Sequence, residues 1–183
     1  MYSDKLALFP KTILTQRLQL RPITRADEND IFEYASNPEV ARYMSWSAHR
    51  TLADTEEFLK YIDQVESEKL QIDRGIVWRE NNKMVGTIAF VSIDLALRVV
   101  ELGYCLSNQY WGRGIIVEAA NAMIDAAVRT LDIHRIEAEC EIDNFKSERV
   151  MQKLGMEQEG VMRKRLPVHG VYRDAKLYAK VVG

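Results

Sequence analysis

The run Val99-Val100-Glu101-Leu102-Gly103-Tyr104-Cys105-Leu106 is followed closely by Gln109-Tyr110-Trp111-Gly112-Arg113-Gly114, and then by Ile115 to Leu131, which contains neither Gly nor Pro. The first stretch, β-branched and aromatic, suits a buried strand; the last, rich in Ala, Ile, Met and Leu, suits a long helix. A strand that enters a glycine-bearing turn and opens a helix leaves the first helical N–H groups without intrahelical partners. They converge on one place and make an anion site. Helix starts commonly carry an acid against the positive end of the dipole, yet none appears here before Glu118, so that charge is left for a ligand. Gly112 and Gly114 remove Cβ atoms where a phosphate would approach the backbone. The competing reading is an ordinary strand-to-helix turn.

Two familiar phosphate motifs fail at this point. A dinucleotide fingerprint needs a third glycine where Val117 stands, and this is not the first strand of the chain. A P-loop needs four residues between its glycines and then Lys-Ser/Thr, which is absent.

The 183 residues suffice for one domain with a real core, expected to span 1–183. A hydrophobic content of 47% with 28% charged residues is that of a globular protein. The formal charge of −2 gives no case for direct nucleic-acid binding. No apolar run approaches the roughly 20 residues of a membrane span, and Met1 to Lys11 lacks the h-region of a signal peptide, so no membrane partner and a cytoplasmic location are expected. Cys105 and Cys140, each inside a predicted strand, read as buried thiols and not as a disulfide framework. The three histidines are far apart with no ligand spacing, so no metal is expected.

Along the chain, Leu18 to Arg21 alternates apolar and polar residues before Pro22, as a first strand would. Thr24 with Asp27 resembles a capping box ahead of Ile31, Phe32 and Ala35 on one helical face. Asn37-Pro38 offers an N-cap and a first-turn proline for a short helix through Tyr43. Thr51 and Asp54 repeat the capping pattern before a longer amphipathic helix with Leu52, Phe58, Leu59, Ile62 and Val65. The loop between them, Met44 to Arg50, carries Trp46, a candidate wall of an acceptor pocket or a cover for the core edge; His49 reads as a surface residue. Gly75 to Arg79 and Met84 to Ile93 form a hairpin about Asn81-Asn82. Arg135 to Ile142 alternates Ile136, Ala138, Cys140 and Ile142 with Glu137, Glu139 and Glu141, one face buried and one acidic. Asn144 to Ser147 opens a helix ending at Leu154-Gly155. Two last strands, about Met156 to Leu166 and Val171 to Val181, flank a loop at Pro167 to Gly170. The order of elements implies a mixed α/β (α+β) sheet with helices on its faces, its two central strands parallel and adjacent across the long helix.

Gln109-x-x-Gly112-x-Gly114 in this strand-turn-helix setting resembles the acyl-CoA pyrophosphate motif of the GNAT superfamily of N-acetyltransferases. Asn144-Phe145-Lys146-Ser147 and Lys153-Leu154-Gly155-Met156 resemble its Asn-bearing helix start and its Lys-x-Gly-Phe ending, with Met156 where Phe is usual. Many members place a tyrosine seven residues after the Asn as acid for the departing thiolate; here that position is Met151. The branch resembling RimJ and RimL, which acetylate N-termini of ribosomal proteins, puts serine three residues after the Asn, and Ser147 fits. Thr15 to Pro22, Asn37-Pro38-Glu39-Val40, Glu118-Ala119 and His169-Gly170 before Asp174 look like the same branch, so the resemblance spans nearly the whole length.

The resemblance implies a single-domain fold with a mostly antiparallel seven-stranded sheet, helices on both faces and a splayed central parallel pair. It implies acetyl-CoA as donor, held by Gln109, Trp111, Gly112, Arg113, Gly114 and Ile115 at the diphosphate, by the backbone of Tyr104, Cys105 and Leu106 at the acyl arm, and by Asn144 and Ser147. Ser147 then protonates or hydrogen-bonds the thiolate, unless it only caps the helix. Glu101 is the candidate base, direct or through water, its pKa raised by desolvation; alternatively it faces solvent or pairs with an Arg. Trp46 and Tyr172 are the substrate-side candidates. The expected partner is an amine acceptor, most simply the N-terminus of a ribosomal protein, whose α-amine is partly neutral near pH 7. Alternatives are a small amine such as a polyamine, aminoglycoside or amino acid derivative, or a CoA-binding sensor without turnover. Arg163-Lys164-Arg165 and Arg173 suit a solvated strand face or an acidic partner surface. Exposed strand edges suit a homo-oligomer.

Overall fold

The computed structural model describes residues 5–68 and 70–182; residues 1–4, which carry part of the N-terminal reading, and residues 69 and 183 lie outside it. The described strands are β1 (Ile13–Leu14), β2 (Leu18–Arg21), β3 (Ile72–Trp78), β4 (Lys83–Asp94), β5 (Val99–Leu106), β6 (Arg135–Glu141), β7 (Glu157–Val168) and β8 (Val171–Val181). The helices are α1 (Glu28–Ala35), α2 (Pro38–Ala41), α3 (Leu52–Ser67), α4 (Ile115–Leu131) and α5 (Phe145–Lys153), with short 3-10 turns before α1 and α4. One sheet holds all eight strands in the order β1-β2-β3-β4-β5-β6-β8-β7. The eighth, absent from the sequence expectation, is the two-residue β1, too short to show an alternation.

Local chemistry sets the helix starts. Thr24 with Asp27 and Thr51 with Asp54 both form capping boxes, and Asn37 accepts from the Glu39 amide ahead of Pro38. Helix α2 stops at Ala41, short of Tyr43, and Leu52 at the start of α3 is exposed while Leu59, Ile62 and Val65 are buried. The expected loop at Pro167 to Gly170 shrinks to a tight turn at His169 and Gly170, both with positive φ.

The sheet separates two cores. Leu18, Leu20, Ile88, Phe90, Val100 and Leu102 pack with α4 on one face, and Val77, Met84 and Cys105 pack with α1 and α3 on the other. All neighbouring strands are antiparallel except β5 and β6. This pair is in register only at Val99 with Arg135, Val100 with Ile136 and Glu101 with Glu137. Beyond Glu101, β5 stays paired to β4 as far as Leu106, and β6 stays paired to β8 as far as Glu141. The two central strands therefore part. The acidic side of β6 is not a bare solvent face: Glu139 pairs with Arg165, Glu137 with Arg135, and Glu141 is buried.

Candidate active site

The opening between β5 and β6 is a cavity of about 610 Å³ walled by Tyr104, Cys105 and Leu106, by Trp111, Gly112, Gly114 and Ile115, and by Asn144 and Ser147. Residues of α2 and its following turn roof it, and Tyr43 donates from its hydroxyl to the Asp143 carbonyl at 3.2 Å, across the gap. A second cavity of about 770 Å³ lies between α3, the 44–50 loop and the sheet. Met44, Tyr104 and Cys105 belong to the walls of both. The two spaces meet on β5.

At the outer end, Gly112 and Gly114 have φ of 77° and 73°, values that a side chain resists. A Cβ on Gly112 would meet nothing within 4 Å, so the glycine answers to backbone conformation and leaves an open approach. The first bond of α4 runs from the Glu118 amide to the Gly114 carbonyl. Among the described residues, no group accepts from the amides of Gly114, Ile115 and Ile116. Arg42, Lys146, Arg149 and Lys153 line the same cavity against Glu39 and Asp143, a basic surround suited to phosphate. Lys146 and Lys153 stand inside the motifs read from the sequence, though not as phosphate contacts, whereas Arg42 and Arg149, single basic residues on a turn and a short helix, gave no signal.

The loop is held from several sides. Trp111 donates from Nε1 to the Leu106 carbonyl at 2.9 Å, and Lys146 Nζ sits 3.7 Å from its ring centroid. Gln109 and Arg113 line neither cavity. Gln109 reaches Glu33 at 3.4 Å and the Arg113 guanidinium lies over Tyr110, so both support the loop from outside.

Along β5 the Ser107 amide bonds to Val85. Strand alternation therefore turns the backbone of Cys105 toward β4 and that of Tyr104 and Leu106 toward the gap. This corrects the expectation for Cys105, whose thiol is buried in the second core and pushed up to about 12 by that burial. Leu106 has its carbonyl taken by Trp111, which leaves Tyr104 the fullest backbone face on the opening. Burial also pushes the Cys140 thiol up, to about 11.

Asn144 caps α5, its side-chain oxygen accepting from the Ser147 amide at 3.2 Å. Ser147 is therefore not the cap; its Oγ lies 2.8 Å from the Tyr104 hydroxyl. Met151 is fully buried in the first core, so no acid stands there.

Glu101 lines neither cavity. It is the last residue of β5 paired to β6, half-buried, two residues before Gly103 on the same sheet face, and Gly103 does line the second cavity. Burial raises its carboxyl pKa, Glu139 and Glu137 add to the rise, and Arg165 opposes it. Trp46 lines the second cavity with its ring 5.4 Å from His49. His49 is half-buried and not a surface residue: its Nδ1 lies 2.9 Å from Thr55 Oγ1, and burial lowers its pKa. Tyr172 is 64% exposed on β8 and lines neither cavity, so the structure does not bring it to the other candidates.

The floor of the second cavity holds a group that the sequence reading passed over. Asp73, Ala89 and Gly103 stand opposite one another on β3, β4 and β5. Asp73 has one carboxylate oxygen buried with no hydrogen-bond partner among the described residues, and burial raises its pKa to about 6 against the pull of Arg74. Asp73, lying between Ile72 and the buried Arg74 at the start of β3, was the available signal. Asp54 and Glu57 stand in the same cavity wall.

Residues 17–157 match the family model described as an acetyltransferase (GNAT) domain. The uncharacterized N-acetyltransferase YoaA of Bacillus subtilis is 30% identical over 95% of this chain and 98% of its own length. Two Escherichia coli relatives have stated substrates: a ribosomal-protein-serine acetyltransferase, 28% identical over 56% of this chain and 58% of its own, and a spermidine N(1)-acetyltransferase, 24% identical over 86% and 82%. A crystal structure of a GNAT-family acetyltransferase from Bacillus anthracis superposes with a TM-score of 0.80 at 28% identity, covering 93% of this chain and 98% of that one.

Proposed function

The chain belongs to the GNAT acetyltransferase family, and we propose that it transfers the acetyl group of acetyl-CoA to the N-terminal α-amine of a protein, a ribosomal protein in the first instance, by direct attack in a ternary complex. The observation that carries this reading is a pair of cavities with a common wall. The first holds the amides at Gly114 to Ile116, which have no acceptor among the described residues, together with Tyr104 and Ser147, and it shares Met44, Tyr104 and Cys105 with the second.

Acetyl-CoA supplies an activated acyl group on a thiol leaving group; the chain supplies position and charge. The amides opening α4 and the cations Arg42, Lys146, Arg149 and Lys153 fit its phosphates. The backbone of Tyr104 fits the acyl arm, and a backbone N–H facing the gap stabilises the oxyanion. Glu101 accepts the amine proton through water, because it stands beside the acceptor cavity and not in its wall. Ser147, in the wall of the gap, serves the leaving sulfur, and a protein N-terminus as acceptor agrees with the relative named as a ribosomal-protein-serine acetyltransferase. Binding of acetyl-CoA by calorimetry, followed by thiol release across peptide N-termini, polyamines and aminoglycosides, tests the reading. Turnover of a peptide N-terminus supports it, and failure to bind acetyl-CoA overturns it.

A second acceptor has its own support. Asp54, Glu57 and Asp73 in one cavity suit a small polycation, in line with the spermidine-acetylating relative. Preference for polyamines in the same screen selects this reading.

A further inference from the structure

Position 151 is a buried methionine, so the chain must handle the departing thiolate without a side-chain acid there. Ser147 stands in the cavity wall, but an aliphatic hydroxyl is a far weaker acid than a thiol of pKa about 8.5. Full proton transfer from serine to the sulfur runs uphill. A serine hydroxyl is useful as a hydrogen-bond donor that stays protonated, provided its hydrogen points at the sulfur.

The structure holds a device for that orientation. The Tyr104 hydroxyl lies 2.8 Å from Ser147 Oγ and 3.2 Å from the Ser147 carbonyl, within reach of both. If the phenol donates to the carbonyl, the serine donates to the phenol and its hydrogen is turned away from the cavity. If the phenol donates to Oγ, the serine hydrogen is free to face the cavity, and the bond into Oγ makes that hydrogen a stronger donor. Asn144 holds the serine backbone from the other side through the Ser147 amide. Burial keeps the phenol protonated well beyond its ordinary range, although the bond to Ser147 pulls the other way.

We propose that the Tyr104 hydroxyl is a positioning group for the leaving thiolate, turning and polarising the Ser147 hydroxyl so that it donates to the sulfur. The inference rests on the proposed acetyl-CoA reaction. There, the amine nitrogen forms a bond to the acetyl carbon, the carbon–sulfur bond breaks, and its electron pair leaves with the sulfur as thiolate. The amine proton passes to Glu101 or water. The thiolate accepts a hydrogen bond from Ser147, Tyr104 donates to Ser147 Oγ, and both hydroxyls keep their protons.

The test uses coenzyme A itself and needs no acceptor. The ionisation of its bound thiol is followed by thiolate ultraviolet absorbance against pH, with desulfo-coenzyme A as blank, in the wild type, Tyr104→Phe, Ser147→Ala and the double variant. Loss of the serine donor is expected to weaken the acidity of the bound thiol roughly tenfold, and loss of the tyrosine hydroxyl roughly threefold. The double variant should match Ser147→Ala, because the tyrosine acts only through the serine. Affinity for desulfo-coenzyme A is measured in each variant, so that a change in thiol acidity is separated from a change in binding. Equal thiol acidity in the wild type and Tyr104→Phe, or independent effects that multiply in the double variant, overturns the inference and leaves the acetyl-transfer reading standing. Failure of coenzyme A to bind the wild type overturns both.

Discussion

Arg17 and Glu118 join the turn leading into β2 to the first turn of α4: Arg17 Nε donates to the Glu118 carboxylate at 2.7 Å, and the Arg17 backbone amide donates to it at 3.0 Å. The same guanidinium donates to the Arg113 carbonyl at 3.0 Å, and Thr15 adds a hydroxyl to Glu118 at 2.6 Å. The one acid in the first turn of α4 is thus neutralised by the turn between β1 and β2, and the loop's own backbone is held from behind.

Loosening this clamp should weaken the donor site. Glu118→Gln or Arg17→Ala is expected to raise the Kd for acetyl-CoA roughly three- to tenfold, measured by calorimetry. Bonds from Thr15 and Arg17 outweigh burial and hold Glu118 below the usual carboxylate range. Its contribution to stability is therefore complete above its unfolded value of 4.5 and is lost as pH falls through its lower folded value. An affinity equal to wild type in both variants removes the clamp from the account.

Glu101→Gln should lower kcat by roughly 10- to 100-fold while leaving acetyl-CoA affinity unchanged. Because burial raises the Glu101 pKa, the wild-type rate should begin to fall with decreasing pH sooner than an ordinary carboxylate would dictate. The variant should lack that limb. A pH–rate profile of identical shape in both proteins ends the assignment.

Asp73→Asn should stabilise the fold at neutral pH and damage cationic-amine turnover. With a folded pKa of about 6 against 3.8 unfolded, wild-type stability is highest below the unfolded value and is lost as pH rises through the folded one. The advantage of Asn should therefore be absent near pH 3.8, grow up to about pH 6 and level off above it, at most on the order of 2 to 3 kcal/mol. Urea unfolding at several pH values measures it. A loss of spermidine turnover without loss of peptide acetylation would assign Asp73 to the polycation reading alone.

Gly86→Ala should be among the most damaging small changes in the sheet. A Cβ there would meet the Cys105 carbonyl oxygen at 2.3 Å and the Leu106 Cα at 3.0 Å, both backbone atoms of β5. The strand must shift beside the opening, at a cost on the order of 2 kcal/mol or more. Thermal unfolding and acetyl-CoA affinity should both fall.

Much of the fold was legible because it was written locally. Asn37-Pro38, Thr24 with Asp27, Thr51 with Asp54, and Gly155 at a φ of 73° each mark an end by chemistry within a few residues. The helix Ile115–Leu131 and the strand Val99–Leu106 stand where their apolar runs predict. The parting of β5 from β6 came through the family resemblance, and the register now shows where it begins. What stayed hidden depends on distant chain. Arg17 meets Glu118 across 101 positions, Tyr104 meets Ser147 across 43, and the two-sided role of Tyr104 follows from which way its strand edge faces. Glu101 was correctly sited on the central strand, but its distance from the cavity wall depends on strand direction and side-chain packing that a list of residues does not carry.

The short ladder from Val99 to Glu101 also divides the molecule mechanically. Five strands lie on one side of it and three on the other, so the two leaves of the sheet are hinged at one end and open at the other. A long, narrow molecule seated between the leaves would act as a wedge, and filling the crevice is expected to slow amide exchange in the final hairpin, at the far margin of the protein.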